Sequence, residues 1–566
     1  MTVSGKDTFS LSQPFNLKID VRVSMRDGVA LSTDIYRPKS GEPFPTLLLR
    51  TIYDNQTTHL IELAETFVKR GYAVVLQDCR GRFDSDGEWQ PYINEAQDGY
   101  DTQEWIGEQD WCDGNIGTFG TSYVGFTQSV TAPLRSKYLK ALIPTVSQQD
   151  NFGHFYVDGG LQLHVAINFI NMAGRTMQRG SRNAMNSEEF YRRLPLVSAM
   201  DDIVDLPFYR EAIRHSTFDE FWKSYSMRYK YEDIESPAFI VSGWYDNLVH
   251  EAFKLYKGWS TRSRGSEPRN LSKLLIGGWS HNNIGTSEPF GTIGFGNSAG
   301  MDFAEEQLRW FDRRLKGIKN GMDEEPPIHI FVMGDNEFRF ENEWPLARTK
   351  YTKYYLRSHG GANSLNGNGS LSTVSPGDEP PDHYTYDPNN PVSTLGGQIM
   401  AIQMTVSGPW DRRPVERRDD VLVYTSTTLD EDVEVTGPVS LKLHIISSAK
   451  DTDFTGTLVD VYPDGKAIII CEGLLRCRYR DSIENPTLME PGDEYELTVD
   501  MWETSNVFKA GHQIRLEVSS SNFPRFDRNL NTSHKPGMTT EIKLADQTVF
   551  HDLERPSHIT LPIIPR

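Results

Sequence analysis

The 566-residue chain carries 58 Lys and Arg against 78 Asp and Glu, a formal net charge of −20 at pH 7. This acidity opposes binding to a nucleic-acid backbone or to an anionic membrane surface, and no apolar run is long enough to span a bilayer. The length predicts two or three domains, each able to bury a core. Four cysteines without CxxC spacing, and an N-terminus without a secretory pattern, favour a cytoplasmic protein without disulfides. The sequence leaves homo-oligomerisation open.

The first part of the chain alternates predicted strands and helices. Residues 17–24 and 29–36 alternate apolar and polar side chains around a turn, which predicts a β-hairpin. Continuous apolar runs bounded by turn residues, typical of strands buried on both faces, follow at residues 45–49, 72–76, 116–119, 139–144, 237–241 and 273–276. Helical patterns lie between several of them. The alternation predicts an α/β fold with a mostly parallel, doubly wound sheet, formed by residues 1–147 and 237–345.

Between residues 148 and 236 the strand pattern stops, and helix formers and aromatic residues dominate. We interpret this segment as a helical cap over the carboxyl edge of the sheet, where open α/β sheets bind ligands. An ordinary helical packing layer is the alternative. The aromatic residues favour an apolar or aromatic substrate group. Our substrate-binding candidates are Phe152, Phe155 and Tyr156 from the cap and Trp244 from the core.

The C-terminal part has a different texture. Residues 359–391 are rich in Gly, Ser, Asn, Asp and Pro, which is typical of loop. From residue 400 onward many short alternating strands follow, with almost no helical pattern. Residues 346–566 are therefore predicted to form an all-β sandwich of jelly-roll type.

One serine stands at a predicted strand-to-helix turn. Ser122 lies in the segment Gly-Thr-Ser-Tyr-Val-Gly at residues 120–125, after the strand 116–119. A serine at such a turn is typical of the nucleophile elbow of α/β-hydrolases. Ser298 lies in a closer match to the common G-x-S-x-G pattern, but a glycine-rich stretch precedes it, which is a poor strand. We expect Ser298 in a loop before a helix.

The catalytic partners of Ser122 should follow in the order acid, then histidine. Asp246 follows the strand 237–241, and His281 follows the strand 273–276, which we predict to be the last of the core. His250 is the second candidate for the base. In this hypothesis His281 takes the proton from Ser122, while Asp246 fixes the imidazole tautomer.

The oxyanion that forms during acyl transfer needs preorganised donors. The backbone N–H of Tyr123, directly after the nucleophile, is the first candidate. The second donor usually comes from the loop after an early strand, where Tyr53 offers its phenol, although a surface tyrosine is the alternative. No step of this mechanism requires a metal or an organic cofactor.

These segments resemble the cocaine esterase and X-prolyl dipeptidyl peptidase family of α/β-hydrolases. The family's motifs G-x-S-Y-x-G, G-W-Y-D, W-S-H and R-x-x-Y match residues 120–125, 243–246, 279–281 and 50–53. The resemblance implies a hydrolase core, a helical cap and a C-terminal jelly roll, and it gives Tyr53 the oxyanion role. Val124 stands where the family's amino-ester hydrolases have Glu, which counts weakly against that specificity.

We therefore predict a serine hydrolase that cleaves a small-molecule carboxylic ester or reactive amide through an acyl-enzyme on Ser122. An X-prolyl dipeptidyl aminopeptidase and an acyltransferase with the same triad are alternatives, and a jelly roll that binds carbohydrate is the non-enzymatic one. Peptidase activity would need a carboxylate for the substrate ammonium. Four cap aspartates are candidates, although solvated surface is the expected place of each: Asp150, Asp158, Asp201 and Asp202.

Two further groups of charged residues have structural interpretations. Asp78, Arg80 and Arg82 follow a predicted strand, and we expect loop-bracing ion pairs there. Asp451 and Asp453 lack a full calcium-binding loop around them, so we expect solvated charge at a strand end.

Overall fold

The computed structural model describes residues 15–166, 188–202, 205, 207–400 and 405–566. A ten-stranded sheet and an eleven-stranded sheet organise this part of the chain. None of its helices combines the length and the apolar character needed to cross a membrane.

The first sheet has the strand order β1-β2-β4-β3-β5-β6-β9-β10-β11-β12. Its strands are β1 (Phe15–Ser24), β2 (Ala30–Pro38), β3 (Phe44–Thr51), β4 (Ala73–Asp78), β5 (Cys112–Thr121), β6 (Leu139–Thr145), β9 (Phe239–Tyr245), β10 (Lys273–Ser280), β11 (Ile328–Val332) and β12 (Glu337–Glu341). Strands β1 and β2 form the predicted antiparallel hairpin, and every neighbouring pair from β4 to β11 is parallel. The α/β fold with a mostly parallel sheet is confirmed.

The sheet extends further than the sequence predicts. We expected the strand at residues 273–276 to be the last of the core, but β11 pairs in parallel with β10 and β12 follows as an antiparallel neighbour. That expectation was wrong because a short strand such as β11 is specified by its pairing with β10, which lies about 50 residues earlier.

Helices cover both faces of this sheet, since neighbouring strand residues point to opposite sides. On one face Leu47 and Leu49 pack in a cluster with Phe67 and Phe311, and on the other Leu48 packs with Ile106. The helices around the sheet are α1 (Thr58–Lys69), α2 (Glu95–Gly107), α3 (Tyr123–Thr131), Val249–Arg262, Ser266–Leu271 and Phe303–Leu315.

The predicted cap consists, where it is described, of short elements around an aromatic cluster. These are α4 (Asn151–Phe155), the hairpin β7 (Tyr156–Val157) and β8 (Gly160–Leu161), and the helices Glu188–Tyr191, Pro207–Arg214 and Glu220–Lys223. Residues 167–187, 203, 204 and 206 of the predicted cap lie outside the described residues. The domain boundaries stay a prediction.

The C-terminal part is largely β, with one short α-helix, Arg413–Glu416, and one 3₁₀ turn, Cys477–Tyr479, among its described elements. Its strands are β13 (Lys350–Arg357), β14 (Ser370–Ser372), β15 (Asp382–Tyr386), β16 (Leu422–Thr425), β17 (Val433–Ser447), β18 (Asp453–Val461), β19 (Ala467–Arg476), β20 (Glu494–Phe508), β21 (Gln513–Ser519), β22 (Ala545–Phe550) and β23 (His558–Ile564). The order is β15-β22-β17-β23-β13-β14-β16-β21-β18-β19, with β20 paired to β17. A C-terminal β domain is confirmed, and its jelly-roll type stays a prediction.

Hydrogen bonds join the predicted cap to this β region. The Leu163 N–H donates to the Arg525 carbonyl at 3.0 Å, and the Leu161 N–H donates to Asp527 Oδ1 at 2.8 Å. The β region therefore holds the chain segment directly after α4 in place.

Asp451 and Asp453 are buried, which contradicts the predicted solvated position. Asp451 Oδ2 lies 2.7 Å from Arg478 Nε, and Asp453 Oδ1 lies 2.9 Å from Arg476 Nε. The prediction was wrong because these arginines lie more than 20 residues away in sequence and β-pairing brings them alongside the aspartates.

Candidate active site

Ser122 lies at a strained turn between β5 and α3. Its backbone has φ 64° and ψ −124°, a conformation that is costly for a residue with a side chain and is typical of functional turns. Gly120 and Gly125 permit the turn, since a Cβ at these positions would lie 2.2 Å from Val124 Cγ1 and 2.7 Å from Ser147 Cβ, respectively. The glycine at 125 thus allows α3 to approach the chain after β6, and Ser122 stays half-buried.

Asp246 and His281 meet at the carboxyl ends of β9 and β10. These strands are parallel neighbours, so their ends lie side by side. His281 Nδ1 lies 2.8 Å from Asp246 Oδ1, and Ser242 Oγ donates to Asp246 Oδ2 at 2.7 Å. A carboxylate on Nδ1 assigns the proton to that nitrogen and leaves the lone pair of Nε2 for a base.

The elbow and the His281–Asp246 pair share one edge of the sheet, because β5, β6, β9 and β10 run in parallel in that order. Among the described contacts, the Ser122 hydroxyl makes no hydrogen bond to the imidazole. Such nucleophile–base contacts are often long before substrate binds and tighten in the complex.

The two candidate oxyanion donors flank this edge. Tyr53 lies half-buried in the loop after β3, and its backbone N–H donates to Thr51 Oγ1 at 2.9 Å. Tyr123 is the first residue of α3, so its N–H has no carbonyl partner within the helix. Both residues therefore lie next to the ends of parallel strands, as the proposed role of each requires.

Two buried histidines near His281 were missed by sequence reasoning. Burial, together with a smaller contribution from the charge of His281, lowers the pKa of both His154 and His164 to about 3. Both imidazoles are thus neutral at physiological pH, which keeps added positive charge away from the base. Nothing in the local sequence around a histidine of the predicted cap indicates that it is buried near His281.

His250, the second candidate for the base, has other neighbours. Its ring stacks on Trp502 with 4.0 Å between centroids, and Nε2 lies 3.4 Å from Glu251 Oε1. Burial lowers its pKa well below the ordinary value. These contacts favour a packing role, so His281 remains our candidate for the base.

The four predicted substrate-binding residues divide into two groups. Phe152, Phe155 and Tyr156 are buried in the aromatic cluster of the cap, where Phe155 and Trp222 have ring centroids 5.5 Å apart. Trp244 instead lies in the core, where its indole N–H donates to the Phe331 carbonyl at 2.6 Å. Its ring belongs to a different cluster from the one that contains Tyr123 and the three cap residues, so we do not carry Trp244 into the proposed site.

Two of the four cap aspartates are not on the surface, contrary to expectation. Asp150 is fully buried because its Oδ1 accepts the Gly153 N–H at 2.7 Å and its other oxygen pairs with Arg228. Asp158 is partly buried, and burial raises its pKa to about 7. Asp201 and Asp202 are exposed, as predicted, in ion pairs with arginines.

The remaining predictions concern residues outside the site. Ser298 lies in a short 3₁₀ turn before the helix Phe303–Leu315, as predicted, and its hydroxyl donates to the Asn336 carbonyl at 2.6 Å. Arg80 pairs with Asp27 and Asp98, which confirms a bracing role for this arginine.

A parallel, doubly covered sheet with a strained serine elbow at its carboxyl edge defines an α/β-hydrolase. The sequence model of the X-Pro dipeptidyl-peptidase (S15 family) matches residues 27–283, and that of the X-Pro dipeptidyl-peptidase C-terminal non-catalytic domain matches residues 320–560. The chain is 38% identical to the cocaine esterase of Rhodococcus sp. (strain MB1 Bresler) over 98% of its own length and 99% of that protein's. The chain therefore belongs to the S15 family of serine hydrolases.

Solved structures share this fold over nearly the whole chain. An α-amino acid ester hydrolase has a TM-score of 0.84 at 23% identity, over 99% of this chain and 100% of that one. An aminopeptidase from the archaeon Thaumarchaeota archaeon has a TM-score of 0.85 at 23% identity, over 98% and 97%.

Proposed function

We propose that this chain hydrolyses a carboxylic ester or a reactive amide through an acyl-enzyme on Ser122. The hydrogen bond between His281 Nδ1 and Asp246 at the edge that carries the Ser122 elbow is the observation that carries this proposal. Asp246 orients the imidazole and stabilises its protonated form, so that His281 Nε2 serves as the base.

In the first half of the reaction His281 removes the Ser122 proton as Oγ bonds to the acyl carbon. The oxyanion is held by the Tyr53 phenol and the Tyr123 N–H. Collapse of the intermediate breaks the bond to the leaving group, which takes the proton from His281. Water then attacks the acyl-enzyme by the same sequence and releases the acid.

The substrate proposal rests on the cap. The aromatic cluster that contains Phe152, Phe155 and Tyr156 also contains Tyr123 and packs against Tyr53, which supports an apolar or aromatic acyl group. The similarity to a cocaine esterase, whose name denotes an ester substrate, supports an ester. Cytoplasmic residence stays a prediction of the sequence.

An X-prolyl dipeptidyl peptidase is the second candidate, because the family model carries that description. A peptidase of this kind must bind a substrate ammonium. Asp150, Asp201 and Asp202 are all paired with arginines, and the raised pKa of Asp158 opposes a carboxylate there. This pairing favours the esterase over the peptidase.

The test is covalent labelling of the purified protein with a fluorophosphonate, followed by peptide mapping. We expect label on Ser122 and none in Ser122→Ala, together with release of p-nitrophenol from aromatic acyl esters. Unchanged labelling of Ser122→Ala would refute the proposal. Faster cleavage of an Xaa-Pro p-nitroanilide than of any aryl ester would instead select the peptidase, and transfer of the acyl group to an added amine in preference to water would select the acyltransferase.

A further inference from the structure

A buried carboxylate contacts both Tyr123 and the strand that leads to Tyr53. Glu95 is the first residue of α2 and is 2% exposed. Its Oε1 accepts the hydroxyl proton of Tyr123 at 3.0 Å. The Tyr123 oxygen in turn accepts the Tyr92 N–H at 2.8 Å. The side chain of the residue after the nucleophile is thus bonded on both sides.

The same carboxylate also reaches the strand that leads to Tyr53. Arg50 in β3 is 3% exposed, and its Nη1 lies 3.2 Å from Glu95 Oε2. That nitrogen also donates to the Glu95 backbone carbonyl at 2.9 Å. Arg50 Nε is fixed separately by Gln77 Oε1 at 2.9 Å. The end of β3, three residues before Tyr53, is therefore tied to the first turn of α2.

These contacts join two chain segments that must be held in fixed relation. An oxyanion hole works only if its donors lie within a few tenths of an ångström of the place where the charge develops. One donor belongs to α3 and the other to the loop after β3. Since α3 and β3 are separate elements, something must set the distance between the two donors.

We infer that Glu95 is a positioning residue for the oxyanion hole, which it sets by binding the Tyr123 phenol with one oxygen and Arg50 with the other. This inference rests on the proposed function. Neither Glu95 nor the Tyr123 phenol touches the substrate in this proposal. Their contribution is to fix where the Tyr123 N–H and the Tyr53 phenol point.

The first variant is Tyr123→Phe, which keeps the ring and the backbone N–H but removes the hydroxyl. We expect kcat to fall about 10- to 100-fold, since small misplacements of catalytic groups have effects of this size. KM should change less than about twofold, because the ground-state ester does not yet carry the oxyanion charge. Rates are normalised to the concentration of Ser122 that a fluorophosphonate labels, so that misfolded protein does not count.

The inhibition constant of a transition-state analogue separates an effect on positioning from an effect on stability. An aryl trifluoromethyl ketone bonds to Ser122 Oγ and places an oxyanion in the hole. Its Ki should rise by the same factor as kcat falls. The matched control is Tyr384→Phe, which removes a buried hydroxyl that lies 2.8 Å from Ser520 Oγ in the β region. It should lower Tm without changing kcat or Ki.

A second variant keeps the inference testable if Tyr123→Phe folds poorly. Glu95→Gln keeps an acceptor for Tyr123 but loses the charge that pairs with Arg50. Its loss of kcat should shrink in a Tyr53→Phe background, because one donor of the hole is already missing there and coupled residues are not additive.

A fall in Tm with unchanged kcat and Ki in Tyr123→Phe would overturn the inference, and so would fully additive losses for Glu95→Gln and Tyr53→Phe. Both results are distinct from failure of the proposed function. In that case Ser122→Ala would still be labelled and would still turn over the ester.

Discussion

The His281–Asp246 pair at the edge of the first sheet and the His551–Asp382 pair inside the β region have nearly equal hydrogen bonds, at 2.8 and 2.9 Å. The second pair even has a serine, since Ser358 Oγ lies 2.8 Å from Asp382 and 3.1 Å from His551 Nε2. Both sets thus contain Ser, His and Asp. In the second set all three side chains are in contact, and in the first set they lie at one edge of the sheet. Residue types alone do not distinguish them.

The two sets differ in which ring nitrogen the carboxylate holds. Asp246 binds Nδ1 of His281 and leaves Nε2 for a nucleophile. In the second set the aspartate and Ser358 meet the same nitrogen, Nε2, and Ser358 donates to the carboxylate. All three side chains there are buried. We therefore interpret the second set as a structural network. The comparison teaches that the ring nitrogen left available by the carboxylate, together with a strained serine elbow, distinguishes the candidate active site from a buried network of the same residue types.

The largest expected difference is between the two serines. Ser122→Ala should lower kcat by about 10⁶-fold, the scale for loss of a triad nucleophile. Ser358→Ala should leave kcat unchanged and lower Tm, because it removes a buried hydrogen bond. Steady-state kinetics on an aryl ester, with Tm by calorimetry, measure both. Loss of activity in well-folded Ser358→Ala would show that the second set is not purely structural.

The aspartates should separate in the same way. Asp246→Asn should cost about 10⁴-fold in kcat, because an amide no longer holds the correct imidazole tautomer. Asp382→Asn should spare kcat and lower the free energy of unfolding by about 3–5 kcal/mol, the cost of breaking a buried charged network. Urea unfolding measures the free energy of each variant, and the ester assay measures its kcat. A loss of kcat in Asp382→Asn but not in Asp246→Asn would place catalysis in the β region.

Tyr53→Phe should lower kcat by about 10²–10³-fold with little change in KM, because it removes one oxyanion donor. The phenyl ring keeps the packing of the half-buried tyrosine. Tyr384→Phe again serves as the matched variant. Wild-type turnover in Tyr53→Phe would remove this tyrosine from the mechanism. Another group would then have to be the second oxyanion donor beside the Tyr123 N–H.

The smallest effects concern pH. Burial raises the pKa of Asp78 to about 8, so the stability associated with its neutral form is lost as pH rises from about 4 to about 8. Burial would also raise the pKa of Asp382, but hydrogen bonds from His551, the Ala362 N–H and Tyr424 bring it below the ordinary value. Its contribution is therefore present above pH 4 and lost as pH falls below that.

Two asparagine variants test these opposite signs. Asp78→Asn should gain stability on the wild type between pH 4 and pH 8, by an amount on the order of 2 kcal/mol. Asp382→Asn should lose most at pH 7 and approach the wild type below pH 4. Unfolding free energies across this range provide the measurement. Parallel curves for variant and wild type would show that the aspartate in question does not titrate as proposed.

The parallel sheet could be predicted because its strands are continuous apolar runs, a pattern that depends on local sequence. The positions of Asp246 and His281 after β9 and β10 follow from the same pattern, since parallel strands end at one edge. Here local pattern and topology agree, so the candidate site could be assembled from the sequence.

What sequence reasoning missed depends on distant partners. Asp150 is buried because of Arg228, and Asp451 because of Arg478. The ring of Trp244 packs against Trp344, a hundred residues later. The sequence shows the charge or the aromatic ring in each case. It does not show which distant residue packs against it, and that neighbour decides whether the side chain is buried.

The hydrogen bonds from the Leu161 N–H to the Asp527 carboxylate and from the Leu163 N–H to the Arg525 carbonyl bear on how such an enzyme is shortened or recombined. A fragment that ends near residue 345 would leave these amides facing water and would release the segment that follows α4. We expect such a fragment to bind aromatic ligands poorly even if its sheet folds, which calorimetric titration of the truncated chain can measure. Chimaeras should exchange the cap and the C-terminal β region together.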